Sequence, residues 1–277
     1  TFHAYNFFLP FVCRLWKFRI GYEPILYLVG TPDEWNDGHS KIVLKALLET
    51  GQEFSWMDPV PGVPSGNVAQ CVRHHMGALP KLRPSDLLLT SDADLFPIRR
   101  EFFHQHDPAR HQIALYYSNV YGDEGHWTSL HMSFAVGALR EALDVQVGDV
   151  RASMLKMFRD GNIQELVEAY KEDSRDNRLW FFEERYQSAK ISGSRFYPGS
   201  VLKIPREGHP PKDQISRAPW LEHYSLNDYV DLHAARPGWI SAYWPGVRAL
   251  ILKVLPELSG WVDAYREEFW KVGPDRS

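Results

Sequence analysis

The chain repeats one pattern: a short apolar run without charge, closed by a glycine or a turn, followed by a stretch with helical spacing. Pro24-Ile25-Leu26-Tyr27-Leu28-Val29 ends at Gly30 and Leu87-Leu88-Leu89-Thr90 ends at Ser91-Asp92, while Glu53 to Met57 is a short strand, not wholly apolar, that runs into a loop rich in Pro and Gly. Runs of this kind read as strands buried on both faces, the signature of a parallel sheet. Between them, Gly38 to Glu49 puts Ile42, Val43, Ala46 and Leu47 on one side of a helix stopped by Gly51. Asn67 to Leu79 forms a second helix with Asn67 as its cap. The alternation predicts an α/β fold with a mainly parallel central sheet flanked by helices.

The remaining segments extend this reading. Phe7 to Phe18 has helical spacing and stops at Gly21, and Arg99 to Gln105 is a short helix. Strands are expected at Gln112 to Ser118, at His131 to Val136 (closed by Gly137) and at Gly199 to Ile204. Helices are expected at Arg140 to Val145, Val150 to Ser174 and Trp180 to Ala189, with a final amphipathic helix from about Val247 to Val262. No internal repeat or low-complexity stretch interrupts the chain. One domain over residues 1–277 is expected, with 241–277 as a helical extension.

Composition removes several function classes. With 31 basic and 35 acidic residues the net charge is −4, so the chain lacks the basic footprint of a nucleic-acid binder. Cys13 and Cys71 stand outside any Cys-x-x-Cys pair and read as two buried thiols rather than a zinc site. The apolar stretch from Asn6 to Trp16 is broken by Pro10 and Arg14, short of the roughly 20 residues a spanning helix needs. No signal peptide and no Asn-x-Ser/Thr sequon is visible, and the sequence begins at Thr1 rather than Met. A cytoplasmic protein and a piece trimmed from a longer chain both fit.

The segment that carries chemistry is Ser91-Asp92-Ala93-Asp94, directly after the Leu87–Thr90 strand and before Leu95-Phe96-Pro97. Two aspartates one residue apart can turn both carboxylates toward one point. At the end of a strand in an open α/β sheet, where ligands bind, they suit a hard cation such as Mn²⁺ or Mg²⁺. Such ions usually share their coordination with substrate phosphates, so the pair points to a diphosphate ligand.

Leu87 to Asp94 resembles the strand-plus-DxD element of nucleotide-sugar glycosyltransferases of the GT-A fold. Trp180-Phe181-Phe182-Glu183-Glu184-Arg185 is similar to a Trp-x-x-Asp-Gln element that follows it in several such families, with Glu183-Glu184 replacing Asp-Gln. Asp231-Leu232-His233-Ala234-Ala235-Arg236-Pro237-Gly238 resembles the late segment whose imidazole completes the metal site. The resemblance implies a Rossmann-like domain, with 1–118 as the nucleotide-sugar-binding half and 119–240 as the acceptor side. It implies Asp92, Asp94 and His233 as metal ligands and Arg73 near the donor; Ser91, Asp92 and Gly137 are further donor-side candidates. His209 is a second candidate imidazole.

The expected partners are a nucleotide-sugar donor, UDP-sugar first, and a glycan or other hydroxyl acceptor. Glu183 or Glu184, in an aromatic setting that would raise a carboxyl pKa, is the expected general base if the enzyme inverts. Adjacent helical residues point about 100° apart, so one of the two faces the cleft. Trp127, His131 and Trp180 are candidates for the acceptor pocket. The rival readings are a nucleotidyltransferase or metal phosphohydrolase, and a non-catalytic glycan- or protein-binding module. A nucleotidyltransferase should carry a Gly-rich basic loop after its first strand, and none is present. A haloacid-dehalogenase-type phosphatase places its Asp-x-Asp after the first strand, whereas here it lies deep in the chain.

Overall fold

A computed structural model describes residues 3–36, 38–119, 131–175, 178–205, 212, 214–216, 221, 224–234 and 236–273. In chain order the elements are α1 (His3–Asn6), α2 (Leu9–Arg14), β1 (Tyr27–Val29), α3 (Gly38–Glu49), β2 (Ser55–Met57), α4 (Ser65–Val72), β3 (Leu87–Thr90), β4 (Leu95–Pro97) and α5 (Arg100–Phe103). Then follow β5 (Ile113–Tyr116), β6 (His131–Ala135), α6 (Val136–Ala142), α7 (Val150–Asp160), α8 (Ile163–Glu172) and α9 (Phe182–Ser192). The last are β7 (Val201–Ile204), β8 (Gln214–Ser216), β9 (Asp231–His233), α10 (Trp244–Val254) and α11 (Val262–Val272).

The class is α/β, but the sheets are mixed. β1 and β2 pair in parallel as expected. The four-stranded sheet runs β3-β6-β5-β7, where β6 is antiparallel to both β3 and β5 and only β5 and β7 are parallel. A third sheet, β4-β9-β8, joins β4 and β9 antiparallel and β8 and β9 in parallel. The expectation of a mainly parallel central sheet is therefore corrected. β5 and β6 are buried at every position, so they read as continuous apolar runs, and such a run reports burial without reporting direction.

Helix boundaries shift where local chemistry competes. The α2 helix widens into a π-helical turn over Leu15–Ile20 and stops at Gly21, which takes the left-handed conformation at φ 90°. Asn67 lies inside α4 rather than capping it, and its side-chain amide donates to the Leu179 carbonyl at 2.9 Å. The helix expected over 67–79 tightens into a 3₁₀ turn over Arg73–Ala78, which aims the Arg73 and His74 side chains. The long helix expected over 150–174 is two, broken where Asn162 adopts φ 51°. The final amphipathic pattern is likewise two helices, α10 and α11, separated by a turn at Pro256–Leu258.

Two apolar clusters hold the fold. One joins α1, α2 and α3 to β4, β9, α10 and α11 around Phe7, which is fully buried. The C-terminal helices thus share a core with the N-terminal residues. The other packs α4, α6, α7 and α9 on the β3-β6-β5 face. Cys13 and Cys71 are buried free thiols, as expected.

Gly161, at the end of α7, is required by a close approach. A Cβ there would lie 2.5 Å from Cε2 and 2.7 Å from Cζ of Phe182, the first residue of α9. Gly161→Ala is expected to lower stability by about 1–3 kcal/mol, as overpacking does in a closed core. An unchanged urea midpoint would show that the ring moves aside without penalty.

Candidate metal centre

The β3 strand ends at Thr90, and the chain crosses through Ser91–Asp94 into β4, which belongs to a different sheet. β4 is bridged to β9 in the register Leu95↔His233, and the Ala234 N–H donates to the Asp94 carbonyl at 3.0 Å. This pairing brings His233 beside the carboxylates. One ligand atom from each of Asp92, Asp94 and His233 lies within 4.8 Å of the others. Asp94 and His233 are buried, while Asp92 is partly exposed.

His233 Nε2 stands 3.4 Å from Asp92 Oδ2, within ion-pair reach, yet this buried nitrogen makes no well-directed hydrogen bond. A buried polar atom without a directed partner is costly, and a cation held among these three groups would engage it. Two carboxylates and one imidazole are a fitting donor set for Mn²⁺ or Mg²⁺. Ser91 Oγ turns instead to the Asp92 carbonyl at 3.3 Å.

Two arginines balance the carboxylates. Arg73 donates to both Asp92 and Glu183, and Arg236 Nε lies 3.2 Å from Asp94 Oδ2 with its guanidinium 4.1 Å from the Tyr5 ring centroid. Burial alone would raise the Asp92 carboxyl, but Arg73 and His233 hold it well below the usual range. Burial would likewise lower the His233 imidazole, and Asp92, Asp94 and Asp231 together raise it instead.

Glu183 meets this site through Arg73. Its other oxygen lies 2.9 Å from His74 Nε2, and the side chain is almost wholly buried. Burial would raise the Glu183 carboxyl, yet Arg73 and His74 outweigh it and lower it. The raised carboxyl expected at Glu183 is not found: the neighbouring arginine favours the ionised form. Glu184, the next residue of α9, is half-buried.

Gly137 is not at the centre. Because β6 runs antiparallel to β3, Ala135 pairs with Leu87, and the Gly137 N–H donates to the Pro84 carbonyl at 2.9 Å. That is the opposite end of β3 from Asp92, about 13 Å away along a four-residue strand. The same antiparallel pairing brings His131, at the start of β6, beneath the carboxylates, with Nδ1 3.3 Å from the Thr90 carbonyl. His131 is fully buried against Phe103 and Tyr117 and lines no open pocket. Trp180 is exposed at 53%. Trp127 and His209 lie outside the described residues.

A buried layer that the sequence did not announce supports β9. Asp231 accepts from the Tyr117 hydroxyl and from the Gln214 amide at 2.5 Å, and His131 Nε2 is 3.9 Å away. Tyr117 adopts φ 60° to reach it, a strained conformation for an aromatic residue and one that clusters at functional sites. Asp231 sits two residues before His233, but only its complete burial marks it as structural support.

Burial also makes two histidines acid-sensitive. His75, with Nε2 3.3 Å from Met157 Sδ, and His131 are both pushed down to about 3, chiefly by desolvation. Their unfolded forms titrate near the ordinary 6.5, so between these values the unfolded chain binds more protons. The stability they contribute is complete above about pH 6.5 and is lost as the pH falls toward 3. Urea midpoints should decline between about pH 6.5 and pH 4; a flat profile would mean that the imidazoles are accessible to water.

Among the described residues, no helix is long and apolar enough to cross a membrane. No family model matches this chain, and no curated protein matches it.

Proposed function

We propose that the chain is a metal-dependent glycosyltransferase of the GT-A type, moving a sugar from a nucleotide-diphosphate sugar to a hydroxyl of a glycan or other acceptor. UDP-sugar is the first donor to test. The observation that carries this reading is the meeting of Asp92, Asp94 and His233, from segments far apart in the chain, with arginines on both sides. The resemblance of Leu87–Asp94 and of the His233 segment to GT-A elements adds the donor class.

Asp92, Asp94 and His233 would hold Mn²⁺ or Mg²⁺. The bound ion would supply charge neutralisation at the departing nucleoside diphosphate. Arg236 lies beside Asp94, and its planar fork suits phosphate oxygens. The Arg73 fork is instead directed at Asp92 and Glu183. The donor set favours charge stabilisation at the departing diphosphate.

Calorimetric titration of UDP and GDP, with and without Mn²⁺, tests the proposal. Binding of one nucleotide that requires the metal is the expected result. Folded protein that binds neither nucleotide under either condition would overturn the transferase reading.

A further inference from the structure

Arg73 is shared. Its two terminal nitrogens go to different carboxylates: one to Asp92, at the metal group, the other to Glu183 on α9. Its Nε is turned to His74 at 3.0 Å. His74 in turn lies against the second oxygen of Glu183. The guanidinium is thus held by a carboxylate at each terminal nitrogen, inside a site where His74 and Glu183 are almost entirely removed from water. The 3₁₀ turn at Arg73–Ala78 presents the arginine and the adjacent histidine together to the first turn of α9.

This arrangement bears on Asp92. A carboxylate that serves a cation must not be fully committed to an arginine, because the two positive charges compete for the same oxygens. Glu183 offers Arg73 a second, better-buried anion. We propose that Glu183 is a positioning residue that draws the Arg73 guanidinium partly away from Asp92, keeping Asp92 available to a divalent cation. The inference rests on the metal-site reading above, and it assigns Glu183 a role other than proton transfer.

The alternative for Glu183 is a bland one: a buried anion that fixes α9 to α4, or that acts on the metal only through space. The two differ in one respect. If Glu183 acts by sharing Arg73, its effect on metal binding must disappear when Arg73 is gone. If it acts through space or through stability, its effect persists.

The experiment is a double-mutant cycle on Mn²⁺ affinity, measured with Mn²⁺ alone by the electron paramagnetic resonance of the free ion. The four proteins are wild type, Glu183→Gln, Arg73→Gln and the double variant. Glu183→Gln should weaken Mn²⁺ binding by about tenfold when Arg73 is present, the size of coupling expected within one charge network. In the Arg73→Gln background the same change should have no effect, and Arg73→Gln alone should bind Mn²⁺ more tightly than wild type. A Glu183→Gln penalty of equal size in both backgrounds, or no penalty in either, overturns the proposal. If Glu183→Gln does not fold, Arg73→Gln decides: affinity unchanged or weaker overturns the sharing of Asp92. A folded wild type that binds no Mn²⁺ overturns the metal-site reading and this inference with it, whereas a wild type that binds Mn²⁺ without the coupling overturns this inference only.

Discussion

Replacing Asp94 by alanine is expected to abolish metal-dependent nucleotide binding while leaving the protein folded. The fold survives because Asp94 joins β4 to β9 through its backbone: its carbonyl accepts from the Ala234 N–H at 3.0 Å, and alanine preserves that bond. Arg236, which loses its carboxylate partner, is partly exposed and has the Tyr5 ring beneath its guanidinium. The metal group loses one of its three ligands and its most buried carboxylate. Loss of an outer-shell partner alone commonly weakens metal affinity 10–100-fold, so removal of a ligand should weaken Mn²⁺ binding by on the order of 100-fold or more. Calorimetry with Mn²⁺ and UDP reads the loss, and circular dichroism reads the fold. A variant that binds both as wild type does would remove Asp94 from the site.

The second large effect is on stability. Phe7 is fully buried, and its ring meets those of Phe8, Phe11, Trp239, Tyr265 and Phe269 at centroid distances from 4.9 to 5.9 Å. It joins the N-terminal helices to α11, and Tyr265 closes the contact by donating to the Phe7 carbonyl at 3.1 Å. Phe7→Ala should cost about 3–5 kcal/mol, the lost transfer energy plus the cavity that rigid aromatic neighbours cannot fill. That is a large share of the roughly 5–15 kcal/mol by which a folded domain exceeds its unfolded state. The expected reading is a large fall in the urea midpoint with the slope unchanged. A fall of less than about 1 kcal/mol would mean that the ring cluster relaxes around the cavity.

The two predictions separate site from scaffold. Asp94→Ala removes function from a folded chain, whereas Phe7→Ala loosens a chain whose site is chemically intact. If the Phe7 variant retains Mn²⁺-dependent nucleotide binding at low temperature, the aromatic core serves the site only by holding β4 and β9 in place.

Much of this was legible locally. The α3 helix follows Gly38 to Glu49 as read, because its apolar residues recur at helical spacing and Gly51 stops it. The β1 strand and the strand leading into Asp92 were written in short apolar runs. Asp92 and Asp94 were recognisable because one intervening residue leaves both carboxylates free to converge. What the sequence withheld was direction and long-range pairing. Burial on both faces makes β5 and β6 look like parallel strands, yet β6 runs antiparallel to its neighbours, which carries Gly137 away from the centre and His131 beneath it. Arg73 and Glu183 are 110 residues apart, and no periodicity connects them. Hydrophobic spacing records what each segment buries; which charges then face one another is decided only when separate elements pack. For that reason the sequence by itself supplied the carboxylate pair and its strand, and the tertiary structure alone decided that Arg73 lies between Asp92 and Glu183.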